Sequence, residues 1–514
     1  MVLITRKMSV PMTNQITKTS KILSRSIIAI LCAIASVLLI ILDPIHSIVN
    51  YNLRLETGSA LYNLLRHDIK AARLSLFMFN ITNAEKFMSG EDKKMKVKEV
   101  GPFVYQEYRW FEDMEMNANG TEMGMTPKMR SEFLPDESIG DPKNINLTFL
   151  NLPLLTTTSL LSPYPSFIRF MFSAMTSQMK SKAIINMDVH SLMWGYENPI
   201  ITLCNKLIPG LIYFDRIGFL DRFYDKESDY RIVVGATKQD RFKIKSVTKY
   251  RHLQQGSMND LEVSELTFPD TYEGIGYPPE LTPEVPIHWY RLSICRTFAL
   301  QYKGSKTTEY GGEGLQYTLN NSSFINETNP AIKKTFPKGI MDISKCYYGM
   351  PFVASYPHFL DGDPKLLEAV DGLMPDRKKY PNDIIIDRRA GIPFYTKLSL
   401  QLNIAIDDVS YSMEARRFSN KILPVLRLEV DQPKMSDGIM ALFYLVYTIG
   451  PWFLIIIESA LFILSLYLII SAARCLYLNR SFNSNWLIFE TGKSKKILSE
   501  TQSDVPLVSD YINA

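Results

Sequence analysis

The sequence predicts an α+β membrane protein, in which two transmembrane helices near the chain ends flank one large external domain that is mainly antiparallel β-sheet. Three observations support this fold class: two long apolar runs, alternating apolar and polar residues between them, and acceptor triplets for N-glycosylation in the same region. Composition alone hides it, because 514 residues with 46% hydrophobic and 21% charged residues are ordinary for a globular protein.

The first apolar run covers residues 27–42 almost without interruption. With its flanks it reaches the roughly 20 residues that a helix needs to cross a bilayer. Only basic charged residues precede it, so the positive-inside rule keeps the N-terminus in the cytoplasm. We predict a cytoplasmic N-terminus over 1–25 and a transmembrane helix over 26–48. The rival interpretation is a cleaved signal peptide, whose apolar core is usually shorter and is followed by a cleavage site.

The second apolar run, residues 439–473, contains one ionisable residue, Glu458, and basic residues follow it. Gly450 and Pro451 interrupt the run, so we expect the spanning helix to begin near Pro451 and the preceding stretch to lie at the outer interface. Residues 474–514 are then a cytoplasmic tail. A membrane carboxylate is costly, and we favour a helix-contact or interface role for Glu458 over a proton path.

Residues 49–438 are therefore predicted to be an extracytoplasmic, glycosylated domain. Another triplet at Asn479, on the predicted cytoplasmic side, shows that one match alone is weak. Six triplets between the apolar runs fit the outside assignment better. They begin at Asn80, Asn119, Asn146, Asn320, Asn321 and Asn326.

Local patterns give a first division of this domain. Residues 51–83 look helical, because Leu61, Leu65 and neighbouring apolar residues share one helical face. A strand pair over 95–100 and 103–110 is expected to be joined by a turn at Gly101-Pro102. A helical insert spans about 150–204, and its clearest amphipathic stretch ends near Lys180 and Lys182.

The remainder of the domain reads as β-structure. The strongest signal is residues 397–407, where five aliphatic residues alternate with smaller or polar ones, the pattern of a strand buried on one face. Residues 426–430 repeat it. Further strands are predicted over 231–237, 241–250 and 351–356.

Several function classes are excluded by what the sequence lacks. A net charge of +4 with interspersed acids and bases predicts no nucleic-acid partner. There is no G-x-S-x-G elbow, Walker loop, H-E-x-x-H or G-x-G-x-x-G motif, and the histidines are isolated in sequence. No C-x-x-C pair occurs among the five cysteines. We predict no catalytic residue, no metal site and no cofactor, and therefore not an enzyme.

A series of short motifs lies in order between the apolar runs. Because of these motifs, the chain resembles the class B scavenger receptors over nearly its whole length. They are Leu-Glu-Thr-Gly-Ser at 55–59, Phe-Met-Phe-Asn at 77–80, Val-Lys-Glu-Val-Gly-Pro-Phe-Val-Tyr at 97–105, Leu-Met-Trp-Gly-Tyr-Glu-Asn-Pro at 192–199, Ile-Cys-Arg at 294–296 and Gly-Ile-Met-Asp-Ile-Ser-Lys-Cys at 339–346.

This resemblance implies a β-barrel ectodomain with an apical helical bundle and a hydrophobic tunnel toward the membrane. It also implies an apical basic ligand-binding patch at Lys180 and Lys182; two solvated lysines that favour a helix dipole are the alternative. Cys295 and Cys346 match a disulfide of the family. Cys475 is the palmitoylation candidate, because relatives are acylated beside the second membrane segment.

The expected partners are fatty acids, sterols or carotenoids, lipoprotein particles or apoptotic-cell surfaces; a homo-oligomer is allowed. We predict a plasma-membrane scavenger receptor that passes hydrophobic ligands to the membrane, with endosome or lysosome as second location. One alternative is a lysosomal sorting receptor for a soluble hydrolase, since residues 504–508 partly match an acidic dileucine signal. The other is a two-helix channel subunit, although such ectodomains carry more cysteines than the three here.

Overall fold

The computed structural model describes residues 10–207, 216–224, 228–251, 261–262, 270–324, 328–329, 334–347, 349–432 and 437–501. Its contacts divide the chain into two compact units. One unit holds residues 1–48 and 442–514, and the other holds 49–441. Asn326 and the tail residues 504–508 lie outside the described residues.

The helices of both units are, in chain order, α1 Val10–Leu42, α2 Pro44–Asn52, α3 Ala60–Leu65, α4 Ala84–Ser89, α5 Leu152–Leu160, α6 Ser166–Gln178, α7 Val189–Trp194, α8 Pro199–Leu207, α9 Phe219–Phe223, α10 Asp437–Tyr444 and α11 Gly450–Thr501. The strands are β1 Ile69–Ile81, β2 Met95–Met116, β3 Glu122–Phe133, β4 Asn146–Leu150, β5 Ile184–Asp188, β6 Tyr196–Glu197, β7 Arg216–Ile217, β8 Ser228–Gly235, β9 Ile244–Arg251, β10 Leu261–Glu262, β11 Thr271–Tyr272, β12 Ile287–Arg291, β13 Arg296–Thr307, β14 Glu313–Leu319, β15 Thr328–Asn329, β16 Lys334–Thr335, β17 Met341–Asp342, β18 Phe352–Ser355, β19 Val370–Asp371, β20 Asp383–Asp387, β21 Pro393–Ala405 and β22 Ile422–Asp431.

Within the described part of the chain, two helices are long and apolar enough to cross a membrane, over Ser20–Leu42 and Met440–Leu478. They pack through small residues that let the backbones approach, as membrane helices commonly do. The Ser465 hydroxyl donates to the Ala29 carbonyl at 3.0 Å, and Ser36 donates to the Glu458 carbonyl at 3.4 Å. Glu458 thus contributes its backbone oxygen to the helix contact.

The predicted break at Gly450 and Pro451 takes a different form. The helix continues past both residues, and the irregularity is a π-helical turn at Leu445–Ile449. Pro451 falls in the first turn of α11, where a missing N–H is tolerated. The Ile45 side chain of α2 packs against this point, because a Cβ on Gly450 would lie 2.6 Å from it.

The second unit is built on one 16-stranded sheet. Its main path runs β10-β9-β8-β3-β2-β1-β22-β21-β20-β14-β13-β12-β11, with β17, β18 and β19 joined at the side. Most neighbours are antiparallel, while β11 with β12 and β19 with β2 are parallel. An antiparallel bridge between Lys243 and Tyr272 joins the two ends of the path, so the sheet curls into a nearly closed barrel. The predicted fold class is confirmed.

The prediction of helix through residue 83 is wrong in its second half. α3 ends at Leu65, and residues 69–81 form β1. Ala72, Leu74, Leu76 and Met78 are buried while the residues between them are partly exposed, which is the period of a strand. The helical interpretation depended on Leu61 and Leu65, which do belong to a helix. It wrongly continued the helical spacing of these residues into the strand that follows.

The predicted strand pair around Gly101-Pro102 is a single strand, β2. The register against β1 shifts between Leu76 and Met78, so the Gly-Pro step forms a bulge. Gly101 has φ +157°, and a Cβ there would lie 2.6 Å from the Leu76 carbonyl oxygen. Only glycine fits this close approach.

A disulfide joins Cys295, just before β13, to Cys346, between β17 and β18. The two cysteines are 51 residues apart, and closing a loop of that length stabilises a fold by about 4 kcal/mol in the chain-entropy model. It therefore ties the β12–β13 region to the strands beside β21.

A second stabilising element is a buried ionic group on the barrel wall. Arg427 donates to Glu99 at 2.5 Å and to Glu429 at 3.0 Å, and the His358 Nε2 atom lies 3.7 Å from Glu99. Burial alone would raise the pKa of Glu99, but the neighbouring His358 and Arg427 side chains outweigh this effect and lower the pKa from 4.5 to about 2. The Arg427 guanidinium also lies over the Phe77 ring at 3.7 Å.

Removing the disulfide with the double variant Cys295→Ser, Cys346→Ser should lower the free energy of unfolding of the full chain in detergent by about 4 kcal/mol. Guanidinium titration measures this. Cys475→Ser removes a thiol that is not in a disulfide and should leave the transition unchanged. An identical midpoint for the double variant and the native chain would contradict the prediction.

Glu99 should make the free energy of unfolding depend on pH within a defined acidic range. A group with a depressed folded-state pKa stabilises the fold above its unfolded pKa of about 4.5 and loses this effect as pH falls toward 2. The difference in unfolding free energy between the native chain and Glu99→Gln should be roughly 3 kcal/mol at neutral pH, at 1.36 kcal/mol per pKa unit.

That difference should shrink progressively below pH 4.5, and chemical denaturation at a series of pH values would show it. Glu368→Gln, at an exposed position, is the matched control and should show no such window. A difference that stays constant between neutral pH and pH 3 would contradict the assignment.

Candidate functional site

The inner face of the barrel is lined with aliphatic side chains that do not fill it. Along β22 the alternate residues Leu426, Leu428 and Val430 point inward, and Leu400 and Leu402 do so on the neighbouring β21. Four of these five are only half-buried, although they face the interior of the protein. Their free surface faces cavities.

The smaller cavity has a volume of about 60 Å³. Its wall is almost wholly apolar, and among the described residues only Gln401 and Tyr347 bring a polar side-chain group to it. The other walls come from β1, α9 and the segment around the disulfide. Its lining includes Leu74, Leu76, Phe219, Leu220, Ile343, Tyr347, Leu400, Leu402, Leu426 and Leu428.

The larger cavity has a volume of about 250 Å³, many times the roughly 10–15 Å³ that one water needs by this measure. It lies where the chain enters and leaves the barrel, between Leu53 and α3 on one side and the end of β22 on the other. The apolar part of its lining includes Leu53, Leu61, Leu65, Ile69, Ala72, Phe111, Phe242, Trp289 and Val430.

The two cavities follow one another along the same strands. On β22, Leu426 and Leu428 line the smaller cavity, and Val430 lines the larger one. On β1, the order is Leu76 and then Ala72. From residue 426 to residue 432 a strand rises about 20 Å, so the linings of the two cavities together extend over roughly that distance along β22.

Four charged residues form the polar end of the larger cavity, and we call them the charged quartet: Glu107, Arg109 and Glu273, which are buried, and Arg291, which is half-buried. Arg109 and Glu273 form a close ion pair, and Arg291 lies 3.6 Å from Glu107. Tyr224 donates its hydroxyl to Glu107 at 3.2 Å. Burial raises the pKa of Glu273, and the neighbouring Arg109 opposes that shift.

The local sequence explains how the quartet is placed. Glu107 and Arg109 are two residues apart on β2, so both point to the same face of the strand. Glu273 follows β11, and the indole N–H of Trp289 donates to its carbonyl at 3.0 Å. The next residue, Gly274, has φ +98°, and a Cβ on it would lie 2.4 Å from that indole nitrogen. Glycine at 274 therefore permits this contact.

Arg241 is a further buried cation of the larger cavity. Its guanidinium donates to backbone carbonyls rather than to an acid: to Leu53 at 2.9 Å, to Tyr277 at 3.0 and 3.2 Å, and to Ala390. Burial lowers the pKa of Arg241 to about 10, so it stays charged at neutral pH. It holds three separate segments of the cavity wall together.

None of these charged residues is a predicted site residue. The sequence offers one signal for Glu107 and Arg109, the alternation of side chains along β2. That alternation alone predicts that polar residues of the strand point to solvent. Glu273 lies 164 residues from its partner Arg109, and a sequence alone does not reveal such a pair.

The predicted basic patch lies at the end of α6. Lys180 and Lys182 are both exposed, and Lys180 has φ +51°, which ends the helix. The apolar stripe of α6 faces outward, because Phe167 and Phe170 are 71% and 72% exposed while Phe172 and Thr176 are buried. Two large apolar side chains are therefore exposed on the helix that ends at the basic residues.

The predicted glycosylation positions differ in access. Asn119, Asn146 and Asn321 are exposed, whereas Asn80 and Asn320 are half-buried. The Asn80 side-chain oxygen also accepts a hydrogen bond from the Thr148 N–H at 2.8 Å. Asn119 lies in the turn between β2 and β3, an open position for a glycan.

The remaining cysteines are free. Cys204 is fully buried, and burial raises its thiol pKa to about 12, which makes it unreactive. Cys475, the predicted acylation position, is half-buried and lies 3.4 Å from the Arg25 guanidinium, which also donates to Ser471 at 2.9 Å.

Comparison with known proteins gives a consistent result. Scavenger receptor class B member 1 of Bos taurus is 26% identical over 439 residues, which cover 82% of this chain and 83% of that protein. The same receptor of Sus scrofa is 26% identical over 77% of this chain and 78% of its own length. Lysosome membrane protein 2 of Homo sapiens is 25% identical over 68% of this chain and 73% of its own.

The family model for the CD36 family matches residues 26–476, which include both hydrophobic helices and the barrel. This match covers most of the chain and agrees with the order of motifs, the disulfide and the nearly closed sheet between two apolar helices. The protein belongs to the CD36 family.

Proposed function

We propose that this protein is a scavenger receptor, and not an enzyme, that binds lipids or lipoprotein particles and passes hydrophobic ligands through its barrel to the membrane. The observation that carries the proposal is the pair of apolar cavities in line along β1 and β22. A fold that only needed stability would fill this space, because protein interiors are normally close-packed.

The physical basis is partition. Holding an acyl chain or sterol in water costs roughly 0.8 kcal/mol per methylene group. An apolar path removes that cost without any bond chemistry. Ligands of this class are fatty acids, sterols and carotenoids.

The exposed end of α6 is proposed to receive the particle that delivers the ligand. Phe167 and Phe170 can insert into a lipid surface, while Lys180 and Lys182 attract its anionic groups. This surface combines apolar and basic contacts, as surfaces that bind anionic lipid generally do. Apoptotic-cell membranes present the same chemistry.

In the proposed topology both termini are cytoplasmic. Residues 26–48 and a helix within 439–473 span the membrane, and residues 49–438 form the glycosylated external domain. The plasma membrane is the proposed location. Cys475 is proposed to be palmitoylated beside the second membrane helix.

Similarity to Lysosome membrane protein 2 supports a second candidate, a lysosomal sorting receptor for a soluble hydrolase. Affinity purification from lysosomal extract with the full chain tests it. A purified hydrolase that binds saturably would support the sorting role. If no hydrolase binds and cells that express the protein take up lipid, the sorting role is excluded and the scavenger receptor is supported.

Blocking the path should reduce transfer but not particle binding. Leu428→Trp places a larger ring in the smaller cavity, and cells that express it should take up labelled sterol from lipoprotein at least about fivefold more slowly than cells with the native chain. Particle binding in the cold should be unchanged. Tyr395→Trp, exposed on β21, is the control and should transfer normally. Undiminished transfer by a surface-expressed Leu428→Trp would contradict the proposal.

Particle binding should depend on the end of α6. The double variant Phe167→Ser, Phe170→Ser should weaken binding of anionic lipoprotein at least about tenfold, since two exposed apolar side chains are lost. Lys180→Gln, Lys182→Gln should weaken it less and reduce its dependence on salt.

Lys143→Gln, at an exposed lysine between β3 and β4, is the control for loss of charge. All variants are compared at equal surface density by antibody staining. Unchanged binding by both double variants would exclude this surface as the docking site.

A further inference from the structure

We propose that the Glu458 carboxyl group joins two copies of this chain within the membrane, by pairing with the Glu458 carboxyl group of a second copy. The inference depends only on the two hydrophobic helices, and lipid transfer by the barrel does not enter it. It assigns a partner to the one acidic or basic residue within residues 439–473.

The depth of Glu458 in the membrane follows from its neighbour on α1. The Ser36 hydroxyl donates to the Glu458 carbonyl at 3.4 Å, so the two residues lie at the same level of the helix pair. Ser36 is six residues from Leu42, the last residue of the first hydrophobic helix, which is about 9 Å along a helix. Glu458 therefore lies within the hydrocarbon, where an ion without a partner is very costly.

Within the described residues, no side chain of the same copy satisfies the Glu458 carboxyl group. Its oxygens make no hydrogen bond or ion pair there. The Ser36 hydroxyl has a single hydrogen, which is directed to the backbone carbonyl. The nearest Lys or Arg of α1 is Arg25, about 16 Å from Ser36 along the helix, and it donates to Ser471. The carboxyl group therefore needs a partner from outside its own copy.

The Glu458 carboxyl group is accessible to such a partner. The residue is half-buried, and neither of its carboxyl oxygens is a buried atom. Ile455 and Phe462, one turn before and one turn after, are 50% and 56% exposed. Residues at these spacings lie on one face of a helix. A further helix can pack on this face, which we call the Glu458 face, and cover the carboxyl group while α1 stays in place.

Symmetry selects a second copy as the partner. Two copies in one membrane have the same orientation, so Glu458 lies at the same depth in both. A two-fold axis places a residue near its centre opposite the same residue of the other copy. A protonated carboxyl group both donates and accepts, so two of them complete each other's hydrogen bonds. The pair is neutral and needs no cation from another protein.

The first test measures association of the full chain in cell membranes. Copies that carry donor or acceptor fluorescent proteins at the C-terminus are expressed at a series of surface densities, and energy transfer between them is recorded. Glu458→Leu keeps the bulk without the polar group and should weaken association at least about tenfold, through loss of hydrogen bonds between helices. Glu458→Gln keeps a donor and an acceptor and should stay within about threefold of the native chain.

Ser465→Ala is the matched control. It removes a hydrogen bond from the same helix, but this bond runs to Ala29 of the same copy. It should leave association between copies unchanged. Antibody staining of the external domain compares all variants at equal surface density, so that a variant that fails to fold is recognised by its absence from the surface.

The second test locates the contact with two neighbouring cysteine substitutions, each in a chain with Cys32→Ser and Cys475→Ser. Both positions, Ile455 and Ile456, are exposed. Ile455 lies on the Glu458 face, whereas Ile456 points roughly 160° away from Glu458. Oxidation should link two copies through Ile455→Cys and leave Ile456→Cys unlinked.

Unchanged association of Glu458→Leu would overturn the inference. If Glu458→Gln loses association as fully as Glu458→Leu, the negative charge itself is required, which points to a cationic partner and also overturns it. A native chain that stays monomeric at all densities, or equal linking through both cysteine positions, has the same consequence. None of these outcomes bears on the proposed lipid transfer, which is measured separately.

Discussion

The pairing of β1 with β22 is the constraint on which the barrel depends. β1 is the first long strand after the N-terminal hydrophobic helix, and β22 is the last before the C-terminal one. They are antiparallel neighbours from Arg73 with Asp431 to Met78 with Leu426. The start of β1 and the end of β22 therefore lie at the same end of the barrel. The larger cavity lies at that end, between the start of β1 and the end of β22.

Closure of the sheet determines which side chains line the interior of the barrel and how far they fill it. Strands β1, β21 and β22 each place every second side chain inside, and these are mostly leucines of similar size. Side chains of one length on a curved wall cannot all meet at the centre of a wide barrel. The space that remains is apolar where the leucines of β21 and β22 face it, and polar where Glu107 and Arg109 of β2 face it. The cavities thus arise from the same alternation that forms the sheet.

Much of the fold could be predicted from the sequence, but little of the polar end of the larger cavity could. The alternation in residues 397–407 predicted β21, and the two apolar runs predicted the membrane helices. The helix prediction was wrongly extended over β1. A short helix directly before a strand places a helical and a strand-like apolar repeat in the same short stretch of sequence. The Gly101-Pro102 step was taken for a turn, whereas a long strand absorbs it as a bulge. Loop signals are local, and a bulge is distinguished from a turn only by the partner strand.

The resemblance drawn from the sequence motifs indicated the family and the disulfide. It did not indicate Glu107, Arg109 and Glu273, because strand alternation alone predicts that such residues face solvent. Only closure of the barrel shows that they face inward, where β2 and β11 meet across the interior. Likewise, the pattern of α6 is amphipathic in either orientation. Tertiary contacts decide that Phe167 and Phe170 lie on its outer side.

Arg241 has a mechanical consequence. A single planar guanidinium fixes the carbonyls of Leu53, Tyr277 and Ala390, segments that are far apart in sequence. Lysine could not replace it, because one ammonium cannot span three fixed acceptors with the same geometry. The segment around Leu53 and the segments around Tyr277 and Ala390 are consequently held together by one side chain. A displacement of any of these three segments would be transmitted to the others, so the width of the larger cavity is tied to the bonds of Arg241.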